Sequence, residues 1–139
     1  MVKLRSNVWL KADFPDDATY EDDGEAHFAG RNVAIAVGQM LSSHGYRVEE
    51  PESWDEKGWS LNAYRDRQRF WMLITAIDDF ILQTKDTTWR LWPDRAPFVA
   101  FLLHLEAGLS ADPRFSQLRW FEGAWPPTQA ESFPAPVDT

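Results

Sequence analysis

Residues 59–86 read WSLNAYRDRQRFWMLITAIDDFILQTKD, and this stretch decides the fold. Apolar and polar residues alternate over 59–64, which is typical of a strand with one buried face. Residues 70–77 are apolar at odd and even positions alike, as in a central strand that is covered on both faces. Residues 80–86 predict a third strand that becomes polar toward its end. Because the connections between these strands are short, we expect an antiparallel meander.

A helix is predicted on each side of this meander. Residues 25–44 carry apolar side chains at helical spacing, and Gly45 stands where a glycine commonly ends a helix. The second helix follows the meander, with Asp94 as its expected N-cap and an end near Gly108. Both helices therefore have an apolar stripe that can cover the same face of the sheet.

Two outer strands complete the predicted order. One includes Val8–Leu10 and the other covers residues 117–122, which gives β-α-β-β-β-α-β along the chain. A meander between two helices predicts an α+β fold, with a mainly antiparallel sheet and the two helices packed on one face. We expect residues 1–124 to form one domain. Residues 125–139 contain four prolines and are expected to form an extended C-terminal tail.

Composition excludes several classes of protein. The chain has 139 residues and no cysteine, so it has no disulfide framework, thiol nucleophile or cysteine-bound metal. No apolar run approaches the roughly 20 residues of a membrane-spanning helix. The first ten residues contain no continuous apolar segment, so we expect no cleaved secretory signal and a cytoplasmic protein.

The charge of the chain bears on its partners. Asp and Glu exceed Lys and Arg by 22 to 14, a net charge of −8. This excess argues against binding to nucleic acid or to an anionic membrane, since both need a positive surface. It favours a basic protein partner, which the net charge attracts at long range.

The search for a catalytic motif is negative. The sequence has no glycine-rich phosphate loop and no nucleophile elbow. His27 and His44 stand at opposite ends of the first predicted helix, roughly 25 Å apart, too far to share a metal ion. His104 is interpreted as an ordinary helix residue. The sequence therefore predicts no catalytic residue, no metal and no cofactor.

Three arginines, Arg65, Arg67 and Arg69, stand in the connection between the first two strands of the meander. They form the only basic cluster in the sequence. At the tip of a hairpin they could pair with an acidic segment or contact an anionic ligand. A solvated turn is the interpretation that the surrounding negative charge favours.

Eight tryptophans are more indole surface than one small interior is expected to hide. Several stand in connections: Trp54 lies within PESWDEKGW, and residues 89–94 read WRLWPD. Exposed Trp and Arg are typical of the residues that dominate binding energy at protein interfaces. The alternative is that these rings fill the ends of the sheet as additional core. The predicted binding residues are Trp54, Trp89, Arg90, Trp92 and Asp94.

Two patterns carry a resemblance to known proteins. The first is G-Y-x-V-x-x-P-x-x-W-x-x-x-G-W, from Gly45 to Trp59, and the second is D-P-R-F-x-x-L-R-W, from Asp112 to Trp120. With the meander between them, the chain resembles a loose group of small uncharacterised bacterial α+β proteins over roughly residues 27–122. The resemblance implies the fold class and carries over no catalytic residue.

These observations predict a non-enzymatic, cytoplasmic protein-binding module. Small acidic α+β proteins of this size include immunity proteins, which neutralise a toxin, and secretion chaperones, and either function fits a basic partner. We also expect a homodimer, because residues 70–77 need cover on both faces. The alternative is a small hydrolase with a ligand pocket near residues 87–94.

Overall fold

The computed structural model describes residues 3–15, 19–20, 26–27, 29–54, 58–77, 79–123 and 132–138. In chain order the elements are β1 (Asn7–Ala12), β2 (Thr19–Tyr20), β3 (Ala26–His27), α1 (Arg31–Ser43), β4 (Arg47–Val48), β5 (Glu52–Trp54), β6 (Gly58–Arg65), β7 (Gln68–Ile77), β8 (Asp79–Asp86), α2 (Ala96–Ala111) and β9 (Phe115–Phe121).

Seven strands of the described residues form one antiparallel sheet. Its order is β4-β6-β7-β8-β1-β9, and β5 also pairs with β6. The predicted α+β class, with a mainly antiparallel sheet and two helices, is confirmed. The predicted order of elements is incomplete, because β2 and β3 form a separate hairpin and β4 and β5 precede the meander. These four strands have two or three residues each, too few to show an alternating pattern.

The helices cover one face of the sheet. Phe70, Met72 and Ile74 on β7 point toward them and are buried. Phe101 of α2 stacks on Phe70, with ring centroids 4.4 Å apart. A Cβ atom on Gly30, which precedes α1, would stand 3.4 Å from Cγ2 of Ile74. The predicted placement of both helices on one face follows from these contacts.

The other face of β7 is partly covered. Leu73 and its neighbour Ile81 on β8 are only 6% and 3% exposed. Trp71 and Thr75, which share this face of β7, are half-buried. The prediction of a central strand with two buried faces is therefore confirmed at Leu73, and the homodimer stays a prediction.

The described end of the chain packs on the domain. Trp120 and Phe133 exchange two backbone hydrogen bonds of 2.7 and 2.8 Å, which extends the sheet beyond β9. Arg5 is buried beside this segment. Its guanidinium donates to the carbonyl oxygen of Ala135 at 3.1 Å and pairs with Asp138 at 2.8 Å. Arg5 thereby ties residues 132–138 to the chain before β1.

The first helix ends as predicted and begins later than predicted. At its end the N–H groups of Gly45 and Tyr46 donate to the carbonyl oxygens of Ser42 and Leu41, both at 3.1 Å. Gly45 has a φ of 92°, so this is the Schellman motif that its position predicts. The helix begins at Arg31 rather than at residue 25, because β3 occupies residues 26–27.

The second helix runs three residues beyond the predicted end at Gly108. Its N-cap is Arg95 rather than the predicted Asp94, which lies one residue earlier and accepts a hydrogen bond from the N–H of Ala96 at 3.0 Å. Gly108 lies inside the helix where the two helices approach closely. A Cβ atom on Gly108 would stand 2.8 Å from the Cβ of Met40 on α1. Gly108 therefore serves helix packing and does not terminate the helix.

Gly58 is required where β6 begins, and this gives a test of the fold. A Cβ atom there would stand 2.0 Å from the carbonyl oxygen of Ile74, and φ is 144°. Gly123 also has a positive φ but has open space around it. We expect Gly58→Ala to lower the free energy of unfolding by about 1–3 kcal/mol more than Gly123→Ala does. Urea denaturation of both variants measures this, and equal losses would contradict the close approach.

Candidate functional site

Residues 87–95 connect β8 to α2, and they start as an extension of the sheet. The N–H of Thr87 donates to the carbonyl oxygen of Arg69 at 2.9 Å. The N–H of Arg69 in turn donates to the hydroxyl of Thr88 at 2.8 Å. This part of the connection is therefore fixed against the start of β7.

Arg90 holds the next part of the connection against the sheet. Its guanidinium pairs with the Asp86 carboxylate at 2.6 Å and donates to the side-chain oxygen of Gln68. Asp86 also accepts the N–H of Thr88 at 3.0 Å. The side chains of Arg90 and Asp86 are mostly buried. The sequence predicts Arg90 as a contact residue, and in the structure its guanidinium anchors the loop to the sheet.

The neighbours of Arg90 face solvent. Trp89, Leu91 and Trp92 are 80%, 77% and 81% exposed, and we call these three residues the aromatic loop. This exposure supports the prediction that some tryptophans lie outside the core. The alternative, that Trp89 and Trp92 fill an end of the sheet, is wrong.

Trp54 and Asp94 do not join the aromatic loop in one surface. Trp54 is 42% exposed and packs edge-to-face on Trp71, with ring centroids 5.5 Å apart. It pairs with Gly58 at the start of β6, whereas the aromatic loop lies beyond the other end of that strand. At about 3.3 Å per residue, the length of β6 separates them by about 20 Å. Asp94 binds the N–H of Ala96 at the start of α2, so the five predicted residues do not form one surface.

A group of cations lies at the same end of the sheet as the aromatic loop. The pairing of Arg65 with Gln68 and of Phe70 with Asp86 brings the β6–β7 turn and the β8–α2 connection to the same end of the sheet. Five exposed basic residues lie there, and we call them the basic rim: Arg65, Arg67, Arg69, Lys85 and Arg95. In the sequence, the three arginines of residues 65–69 and the tryptophans of residues 89–92 are separate features. The strand register brings them to the same end of the sheet.

The two connections at this end of the sheet have the opposite charge to the chain as a whole. Residues 65–69 and 85–95 contain six bases and three acids, a net charge of +3, so the remaining residues carry −11. The net charge of the chain therefore does not describe the surroundings of the aromatic loop.

A histidine pair lies at the contact between the helices. The rings of His44 and His104 stack with centroids 4.6 Å apart, and Nδ1 of His104 is 3.0 Å from the hydroxyl of Tyr46. Burial lowers the pKa of His104, and the positive charges of His44 and Arg65 lower it further. From the sequence, only the separation of His44 and His27 can be judged, because both belong to one predicted helix. Nothing in the sequence indicates that α1 and α2 bring His44 and His104 together.

A cavity of about 280 Å³ opens near the β6–β7 turn, with Tyr46, Arg65 and Pro97 among its lining residues. The predicted hydrolase pocket requires Arg90 and Asp94 to converge on a ligand. Neither of them lines this cavity: Arg90 binds Asp86, and Asp94 accepts the N–H of Ala96.

Further findings concern metals, membranes and relatives. The described residues contain no group of His, Asp or Glu side chains that could hold a metal ion. No helix in the described part of the chain is long and apolar enough to cross a membrane. Comparison with protein-family models, curated proteins and solved structures finds no match for this chain.

The exposure of the aromatic loop gives a stability test. Replacing Trp89 and Trp92 by Ser removes almost no buried surface, so each should change the free energy of unfolding by less than about 0.5 kcal/mol. Trp120 is fully buried, and Trp120→Ala should lower it by about 3–5 kcal/mol. Urea denaturation separates the two outcomes. A large loss in the Trp89→Ser/Trp92→Ser variant would place these rings in the core.

The histidine pair gives a pH test. We expect the pKa of His104 to lie below the ordinary value of about 6.5, because burial and nearby positive charge disfavour its cationic form. Folding lowers the pKa of His104. The free energy of unfolding therefore decreases as the pH falls from the pKa of His104 in the unfolded chain through its lower pKa in the folded protein. Titration of the imidazole C–H signals by NMR measures the pKa, and His44→Asn should raise it. A pKa of His104 above the ordinary value would contradict the assigned cause.

Proposed function

We propose that this protein is a non-enzymatic binding module that docks on a protein partner through the aromatic loop. One observation carries the proposal: three large apolar side chains within four residues are each more than three-quarters exposed. Tryptophan is enriched among residues that dominate binding energy at protein interfaces. An immunity-like neutraliser and a secretion chaperone would both use a surface of this kind.

The way in which the loop is held supports binding. A flexible loop loses conformational freedom when it binds, and this loss weakens the complex. Here Arg90 pairs with Asp86, and Thr87 bonds to Arg69, so the backbone on the N-terminal side of the exposed rings is already fixed. The hydrogen bond from the N–H of Ala96 to the Asp94 carboxylate fixes the backbone on the C-terminal side. The rings are therefore presented between two fixed ends.

The proposal predicts which residues a partner contacts. Affinity capture with the full chain, using lysate of the cells that produce it, should retain a partner that the Trp89→Ser/Trp92→Ser variant does not retain. Leu103→Ser is the matched control, since Leu103 is an exposed apolar residue on α2, outside the aromatic loop. This control should retain the same partner.

Fluorescence then tests direct contact. Titration of the purified partner should change the tryptophan emission of the wild-type protein and should leave that of the double variant nearly unchanged. Equal retention of the partner by the wild type and the Trp89→Ser/Trp92→Ser variant would overturn the proposed surface.

A further inference from the structure

The charge around the aromatic loop identifies the chemistry of its partner. Resting on the proposed function, we infer that the aromatic loop and the basic rim bind an acidic peptide segment that carries a large apolar side chain. The net charge of −8 predicts a basic partner. The local charge of +3 around the loop favours the opposite sign.

The local charge outweighs the net charge at contact distance. Charges in water are screened over about 8 Å at physiological salt, so a bound segment interacts mainly with groups close to it. Within the basic rim, Arg67 and Arg95 are exposed and have no ion-pair partner among the described residues. Of the three acids in residues 65–69 and 85–95, Asp86 pairs with Arg90 and Asp94 accepts the N–H of Ala96, whereas Asp66 is exposed. The five exposed bases of the rim outnumber Asp66 and Asp94. The rim therefore offers guanidinium groups to the carboxylates of a partner.

The backbone of the loop is also unpaired. No backbone N–H or C=O group of residues 89–92 bonds to another residue in the described part of the chain. A peptide segment can pair with these groups through its own backbone while its side chains meet the exposed rings. The surface thus offers a peptide three kinds of contact: apolar, ionic and backbone hydrogen bonding.

The same unpaired backbone argues against a lipid surface. Inserting Trp89 and Trp92 into hydrocarbon would carry polar groups of residues 89–92 with them, and each unsatisfied group costs several kcal/mol there. A nucleic acid is disfavoured for another reason. A nucleic acid is bound through many contacts between its phosphates and Lys or Arg side chains. The two connections at this end carry a net charge of only +3, and the rest of the chain, with −11, repels phosphates. A short acidic segment matches the small positive area.

Selection from a library of random short peptides tests the inference, because the library samples acidic, neutral and basic segments alike. The full chain serves as bait, and the Trp89→Ser/Trp92→Ser variant serves in a parallel selection. We expect the peptides enriched only on the wild type to be acidic and to contain a large apolar residue. Their affinities are then measured by fluorescence anisotropy at low and at high salt.

Charge reversal provides the matched comparison. The Arg67→Glu/Arg95→Glu variant should bind these peptides about tenfold more weakly, and their affinity for the wild type should fall as salt rises. Lys11→Glu is the control for charge reversal, since Lys11 is exposed on β1 near the other end of the sheet and its variant should bind normally.

The outcomes separate this inference from the proposed function. Enriched peptides that require Trp89 and Trp92 but are neutral or basic would overturn the acidic partner and leave the docking surface standing. No enrichment on the wild type over the variant would overturn both. Tighter binding of a short single-stranded oligonucleotide, or of vesicles of phosphatidylcholine and phosphatidylserine, through the same residues would also overturn the inference. So would concentration-dependent self-association that occupies the loop.

Discussion

The fold depends on the burial of β7 on both faces. Phe70, Met72 and Ile74 pack under the helices, and Leu73 is buried on the other side. Because both sets of side chains are apolar, hydrophobicity alone does not distinguish the correct register from a shift by one residue. The close approach of Gly58 to the carbonyl of Ile74 restricts the pairing of β6 with β7 to one arrangement. That register determines which loops meet at each end of the sheet.

The proposed surface is a product of this register. The β6–β7 turn and the β8–α2 connection are far apart in sequence, and Arg90 joins them by bonding to Gln68 and Asp86. Separate binding features of the sequence thereby become one surface with exposed rings and exposed cations. Net charge averages over the whole molecule and hides this local excess. A partner at contact distance responds to the local charge, because salt screens the rest.

Local patterns explain which features could be predicted. The meander follows from alternation and short turns, the Gly45 terminus from its position, and the exposure of Trp89 and Trp92 from their place in a connection. The strands of two or three residues are too short to show an alternation of apolar and polar residues. The stacking of His44 on His104 and the position of the basic rim depend on packing between distant segments, which one sequence does not reveal. The contacts of Arg90 depend on the fold in the same way, because Asp86 and Gln68 bind it only once the strands have paired.

The aromatic loop contributes little to the free energy of folding. A large aromatic ring can bury roughly 150–250 Å², and burial contributes about 25 cal/mol per Å² of apolar surface. Trp89 and Trp92 keep about four-fifths of their surface in water, so they gain little of this stabilisation. The chain nevertheless fixes both ends of the same segment, with the Arg90–Asp86 ion pair and the hydrogen bond from Ala96 to Asp94. These bonds hold the segment in place although its indoles add little to folding, which is what the proposed docking surface requires: apolar area that the core does not bury stays available to a partner.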